Sequence, residues 1–500
     1  MLGLMERGSE SEAPATSFTD VDAYVQRQMR DARIPGLALG IVHDGRSVHL
    51  RGFGRADDFG RAFTAQTPFF IASNSKSFTA LAVMQLAEAG KVDLDGPVQR
   101  YIPWFRVADP EASARITVRH LLNQTSGLTE GAGREATLGV GMHSLEPAVR
   151  ALATTRLARS PGTAFEYSNL NYTALGLVVE MVAGEPFDTY VKAHIFEPLN
   201  MHHTYTNIED AERAGLASGY RYWFGFPVAF ETSGHGSTVP TGGIISTAED
   251  MSRYLAMYQG QGSYDGQVLL SPAGIAEMMQ PGPPQTRGVF AGAGYGMGWF
   301  IGRWGGVDAS YHFGDEPNAH AGMALVPQGN WGAVVLFNVG THGGALPGLL
   351  AIEQSVTGMV AGGTARDTGI AAFYARFDAA VAAALAAEGA SLARLARQHG
   401  DVAQDRHWAL PLLWEFGIPA AVAIVPTAVF KVNWKGLFLY GPDMSCALVA
   451  IGGLSALTGL LRVMKAARSG CSRPPSRHMS APKRRRQRGA GGGGVRKFGA

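Results

Sequence analysis

Ser73 and Lys76 stand three residues apart in FFIASNSKSFTALAVMQLAEAGKVDLD, the stretch from Phe69 to Asp95. A serine hydroxyl holds its proton at neutral pH, so a nucleophilic Ser73 needs a group that removes it. Composition alone returns roughly one or two S-x-x-K matches in a chain this long, so the setting must add weight. Ser73 follows the apolar, strand-like FFIA and opens a helix. Free backbone N–H groups and a partial positive charge at a helix start favour an alkoxide and a tetrahedral oxyanion. Lys76, at i+3, lies on the same helical face. Burial lowers an ammonium's pKa, because the charged form loses solvation.

Two further clusters could complete a site. PGTAFEYSNLNYTALG places Tyr167 and Asn169 two apart before an apolar helix. A phenol can relay a proton, and an Asn amide can hold a substrate carbonyl. The same Y-x-N pattern recurs at Tyr205 and Asn207, but lacks the preceding P-G-T elbow. YHFGDEPNAHAG offers His312 and Gly314. On a strand edge His312 could bind a carboxylate or steady a leaving group. A backbone N–H just past Gly314 could form an oxyanion hole with that of Ser73. The H-x-G pattern recurs at His43, His320 and His342, and His320 is the serious rival, eight residues on. Asp315 sets a negative charge beside the proposed hole, and disfavours anionic substrates unless its side chain points away.

These residues need elements to hold them. An amphipathic helix is expected near Asp20 to Arg33. LALGIVHDGRSVHLRGFG (Leu37–Gly54) reads as two antiparallel strands turning at Asp44-Gly45. Helices are expected from Ser73 to about Ala89, over Ile116–Leu128 and over Thr173–Gly184. AGMALVPQGNWGAVVLFNVG (Ala321–Gly340) again reads strand, turn, strand, and a helix follows. The chain is thus α/β of the α+β kind. Terminal strands close into one antiparallel sheet flanked by helices, with the middle helices as an all-helical subdomain.

Composition bounds the function. Charged residues are 17% and hydrophobic ones 46%, which excludes wholesale disorder. The net charge of +2 conceals an asymmetry: residues 465–500 hold eleven Lys/Arg and no acid, so residues 1–464 carry −9. That body has no electrostatic footprint for nucleic acid. The two cysteines, Cys446 and Cys471, lie late, so the first 400 residues hold no disulfide, thiol nucleophile or Cys-based metal site. The division expected is a polar lead (1–17), a catalytic domain (18–362), a helical linker (363–407), two apolar membrane segments (408–430 and 444–463, within 408–464) and a basic tail (465–500). The first segment carries Glu415, Pro411, Pro419 and Pro426; Met444–Leu461 carries no charge. The start, MLGLMERGSESEAPATS, has no apolar core of signal-peptide length.

Ser73-Asn-Ser-Lys76, Tyr167-Ser-Asn169 and His312-Phe-Gly314, in that order, resemble the serine β-lactamase and penicillin-binding protein superfamily. The nearest likeness is to class C β-lactamases, D-alanyl-D-alanine carboxypeptidases and related esterases. LAEAGKVDLDGPVQRYIPWF, ITVRHLLNQTSGL, PTGGIISTAEDMSRYL and YGMGWF extend the likeness over roughly residues 20–345. The resemblance implies a β-lactamase/transpeptidase-like fold. It makes Ser73 the acyl-accepting nucleophile and lets Lys76 and Tyr167 share the acid–base work, the division left open. Asn169 would orient the substrate amide, and His312 would stand where many relatives carry a K-T-G lysine. It implies no metal or cofactor. A histidine is charged only part of the time at neutral pH, so its grip on a β-lactam carboxylate is expected to be weaker.

The function expected is a membrane-anchored serine hydrolase acting on a small-molecule or peptide substrate: a D-amino-acid peptide, β-lactam or small ester. The alternative is a covalent penicillin-type receptor that acylates without turnover. The bilayer is the partner expected for residues 408–464. Arg394, Arg397, Arg406 and the basic tail flank both segments, which by the positive-inside rule draws the catalytic domain to the cytoplasm. The family likeness draws it to the outer face, the side adopted here.

Overall fold

The computed structural model describes residues 17–129, 144–231, 238–282, 291–340, 346–398, 408–429 and 433–471. Most of the polar lead, His342, Arg406 and the basic run 483–488 lie outside the described residues. The first helix is α1 (Phe18–Ala32), whose N-cap Ser17 accepts from the Thr19 N–H. Strands β1 (Gly36–His43) and β2 (Arg46–Gly54) follow. Asp44 and Gly45 both take positive φ, the two-residue turn whose twist matches a hairpin.

Apart from short two-residue pairings such as Phe69–Phe70 with Ile245–Ser246, the strands that build the fold come much later: β3 (Tyr220–Trp223), β4 (Phe226–Ala229), β5 (Gly294–Tyr295), β6 (Phe300–Trp304), β7 (Val307–Glu316), β8 (Ala319–Val326) and β9 (Trp331–Phe337). One antiparallel sheet of seven strands runs β2-β1-β9-β8-β7-β6-β5. The N-terminal hairpin inserts against the last long strand, with Leu37 opposite Phe337 and His43 opposite Trp331. The ends of the domain therefore close the sheet, as their hydrophobic runs foretell.

Between the hairpins lie α2 (Ser75–Glu88), α3 (Asn169–Ala183) and α4 (Ala248–Gln259); α5 (Leu346–Val360) follows the last long strand. Strand alternation sorts β1 between two cores. Leu37, Leu39 and Ile41 join Val25 of α1 and Ile352 of α5 on one face. On the other, a side chain at Gly40 would strike Ser252 and Ala248 of α4. The helix expected over Ile116–Leu128 is only Val118–Leu122, since Gln124 turns left-handed at φ 58° and ends it. The helix expected from Ser73 starts at Ser75, after a tight turn over Ala72–Asn74.

Beyond α5 come α6 (Ile370–Arg397), α7 (Leu410–Ala428), α8 (Trp434–Tyr440) and α9 (Pro442–Cys471). Among the described residues, Ile370–Arg397 and Pro442–Arg468 are long and apolar enough to cross a membrane, and Leu410–Pro426 is a shorter apolar helix. The region expected as a linker thus holds one of the two longest apolar helices.

Candidate active site

The turn at Ala72–Asn74 is held in an unfavourable conformation. Ala72 has φ 46°, a left-handed value that costs a residue with a Cβ. Ser73, next in the turn, is partly exposed, while Lys76 is fully buried. Lys76 Nζ donates to Ser73 Oγ at 3.0 Å and to the Thr241 carbonyl at 2.6 Å. Burial pulls the ammonium down to about 7, with Glu316 acting in the opposite sense. Near neutrality the amine can keep one N–H on Thr241 and turn its lone pair to the Ser73 hydroxyl.

Tyr167 and Asn169 approach from the start of α3. Lys76 Nζ is 5.0 Å from the centre of the Tyr167 ring, which stacks on Phe300 at 6.4 Å. Gln124, absent from the sequence reading, clamps this elbow. Its Oε1 accepts from the Ser168 N–H at 3.0 Å and from Asn171 Nδ2 at 2.5 Å, and its carbonyl accepts from the Glu166 N–H. A buried amide acting as a bracket has no local sequence signal, because its partners lie more than forty residues away.

Strand β7 forms the opposite wall. Successive side chains alternate, so His312, Gly314 and Glu316 share the face toward Ser73. A Cβ at Gly314 would lie 2.6 Å from the Ala72 Cβ, the Ile71 carbonyl oxygen and the Ser73 nitrogen. Only glycine lets the strand backbone lie so close to that of Ser73, an approach that an oxyanion hole of two amides would require. His312 is buried, its ring 6.4 Å from that of Tyr167. Burial, and then the charge on Lys76, pull its pKa down to about 3. It is therefore a neutral imidazole at physiological pH, where the sequence reading expected partial charge. The Nδ1–H donates to the Phe313 carbonyl at 2.8 Å, leaving Nε2 to accept from the Tyr295 hydroxyl at 3.3 Å.

Asp315 and His320 face away from Ser73. Asp315 Oδ1 lies 3.3 Å from His320 Nδ1, and Glu353 of α5 lies 3.0 Å from His320 Nε2. The Asp315 carboxylate is thus directed away from the oxyanion hole, and only its backbone remains beside it. Burial opposes charge on His320, but Glu353 and Asp315 outweigh it and raise the pKa to about 9. The two histidines should separate by assay. His312→Ala is expected to lower kcat/KM on an activated ester roughly 10–100-fold, through lost positioning. His320→Ala should leave turnover per folded molecule nearly intact and cost about 3–5 kcal/mol in chemical denaturation, by orphaning buried carboxylates. A larger kcat/KM loss for His320→Ala would put the wrong histidine in the site.

Glu316 was also missed, although a period of two from Gly314 places it on the site face. A Cβ at Gly242 would lie 3.2 Å from Glu316 Oε1, so the carboxyl abuts the turn that supplies Thr241 to Lys76. Loss of solvation on burial, and then the charge on Asp315, push it up to about 8, while Lys76 opposes. Because Glu316 raises Lys76, Glu316→Gln is expected to move the acidic limb of the kcat/KM profile to lower pH. An unmoved limb would show that the two groups are uncoupled.

The family model described as Beta-lactamase matches residues 21–353, most of the chain, and the chain belongs to that family. Protein flp of Staphylococcus aureus (strain MW2) is 28% identical over 328 residues, 65% of this chain and 64% of its own length. The chain thus spans about 64% of the length of that relative. Penicillin-binding protein 4 of Amycolatopsis lactamdurans is 31% identical over 61% of this chain and 81% of its own. Among solved structures, an octameric penicillin-binding protein homologue from Pyrococcus abyssi superposes with a TM-score of 0.62 at 26% identity, covering 70% of this chain and 78% of that one. EstCE1, a hydrolase with promiscuous acyltransferase activity, shares the fold at a TM-score of 0.60 and 23% identity, over 69% of this chain and 98% of its own.

Proposed function

We propose that this protein is a membrane-anchored serine hydrolase working through an acyl-enzyme on Ser73. The contact of Lys76 Nζ with Ser73 Oγ at 3.0 Å, made by a fully buried lysine, carries the reading. Ser73 Oγ attacks the substrate carbonyl carbon as its proton passes to Lys76. The carbonyl π electrons move onto oxygen, facing the backbone at Ser73 and beyond Gly314. Collapse of that intermediate breaks the bond to the leaving group, which takes a proton from Lys76 or Tyr167. Water then attacks the acyl carbon, giving a proton to Lys76. Collapse breaks the bond to Ser73 Oγ and releases the carboxylic acid, and the proton passes from Lys76 to restore the Ser73 hydroxyl. The direct Lys76–Ser73 contact favours lysine as the acylation base, with Tyr167 toward the leaving group and Asn169 toward the substrate amide.

A neutral His312 supplies no fixed cation for a substrate carboxylate. Esters and amides without an adjacent carboxylate therefore suit the site better than penicillins. The apolar helices of residues 408–464 serve as the anchor in this reading, with the catalytic domain on the outer face.

Intact mass against time, after mixing with benzylpenicillin or a p-nitrophenyl ester, tests the reading. A transient adduct of the ester on wild type, absent from Ser73→Ala, is expected. A stable adduct that never turns over would instead favour a covalent receptor, and ester turnover without any need for Ser73 would refute both.

A further inference from the structure

We infer that α6 is a third membrane-crossing helix, so that α6, α7 and α9 form one bundle with the catalytic domain at one end and the basic cluster at the other. This rests on the membrane-anchored reading and changes its topology. The start of α6 is docked on the domain: Tyr374 lies 5.3 Å from Tyr222 and Phe377 lies 5.9 Å from Phe224. Residues 379–397 extend about 28 Å, close to the roughly 30 Å hydrocarbon core of a bilayer, with Arg394 and Arg397 in the last turn, where their long side chains reach the far headgroups. α9 leaves the domain beside it. Its start is pinned where the Phe224 N–H donates to Asp443 Oδ2 at 3.1 Å. Its far end meets the far end of α6, where Lys465 Nζ donates to the carbonyls of Leu395 and Gln398. α7 returns antiparallel to α9, with Glu415 on Arg462 and Val422 against Gly452.

The bundle is inside-out for water. Glu388, Glu415, Ser455 and Thr458 are buried, whereas Leu413, Trp414 and Ile424 are 76%, 68% and 60% exposed. A water-soluble bundle places these classes the other way round. In lipid, polar groups turn inward and pair, as Arg462 and Glu415 do through three contacts of 2.7–3.0 Å. At the domain end the β3–β4 hairpin exposes Trp223 and Phe226, and α8 adds Phe438, which packs on Trp434. Arg221 of that hairpin donates to the Leu439 carbonyl, joining the two. Such aromatics mark a headgroup interface.

A third crossing also reconciles the charges. Arg394, Arg397, Lys465 and Arg468 gather at the far end, ahead of the rest of the basic tail. The loop between α7 and α9 carries only Lys431 and Lys435. With two crossings the domain would share the arginine side. With three it lies opposite, and the positive-inside rule places it outside the cytoplasm.

Cysteine accessibility in the full chain tests this. Cys446→Ser and Cys471→Ser give a background for single cysteines at Ala371, Gln398, Asn433 and Arg468, probed with an impermeant maleimide on intact cells and again after permeabilisation. Labelling of 371 and 433 in intact cells, with 398 and 468 reached only after permeabilisation, is expected. If 398 labels with 371, α6 does not cross and the inference fails while the anchor stands. If 398 and 468 label in intact cells and 371 and 433 do not, the sidedness is reversed and the inference fails. Release of the protein by alkaline carbonate would refute the anchor itself, and the third crossing with it.

Discussion

Ser73→Ala is expected to lower kcat/KM on an activated ester by about 10⁴-fold or more, equivalent to roughly 5.5 kcal/mol of transition-state stabilisation. The hydroxyl is the only atom at that position able to form the covalent intermediate. What survives should be the part owed to binding and the oxyanion amides, which act on any attacking water. In the proposed mechanism three features of the site present this oxygen: the left-handed Ala72, the bare Gly314 and the buried Lys76. Removing the oxygen leaves them without a reaction to promote. The fold should be undisturbed, because Ser73 is partly exposed, so the measurement is clean: steady-state kinetics on purified protein, with intact mass showing no acyl adduct. Retained turnover or a persistent adduct would place the nucleophile elsewhere.

Lys76→Met should cost roughly 10³–10⁴-fold in kcat, at the upper end for a general base, since its Nζ lies 3.0 Å from Ser73 Oγ. The wild-type rate should rise as pH passes through about 7, where the buried ammonium gives up its proton. The working form is the neutral amine, so activity is lost on the acid side, and the mutant should show no such limb. Stability should move the other way. In the folded protein Lys76 has a pKa depressed from 10.5 to about 7, so folding expels a proton between those values and stability rises with pH across that window. Below about pH 7 the full cost of a buried charge remains. Lys76→Met is therefore expected to raise resistance to denaturant most at pH 6, with the gain shrinking toward pH 10. A mutant less stable than wild type at pH 6 would mean that the ammonium is well solvated or paired.

Much of this site could be read from residue types and local spacing. An i,i+3 offset is enough to put Ser73 and Lys76 on one face. Asp44-Gly45 between apolar runs is enough for a hairpin. His312-Phe-Gly314 on an expected strand edge is enough to nominate a wall of the site. Each is a rule about neighbours in the chain, and local geometry enforces it. The apolar character of residues 408–464 belongs in the same group, because solvent preference is additive over a segment.

What sequence could not decide were contacts between distant parts of the chain. Alternation along β7 already turns Asp315 away from Ser73; packing of α5 against β8, with Glu353 beside His320, is what removes His320 from contention. The turn at 239–243 brings Thr241 and Gly242 to Lys76 and Glu316, and no spacing rule joins residue 76 to residue 241. The neutral state of His312 follows from burial, which depends on three dimensions. For α6, whose composition is apolar enough to cross a membrane, the docking of its start on the domain and the meeting of its end with α9 set how much of it lies outside the domain. Residue identity and spacing determined which groups could react and where strands and helices form; the tertiary structure decided which of those groups meet, which way each points and what charge each carries, because solvation and Coulomb interactions depend on distances in space.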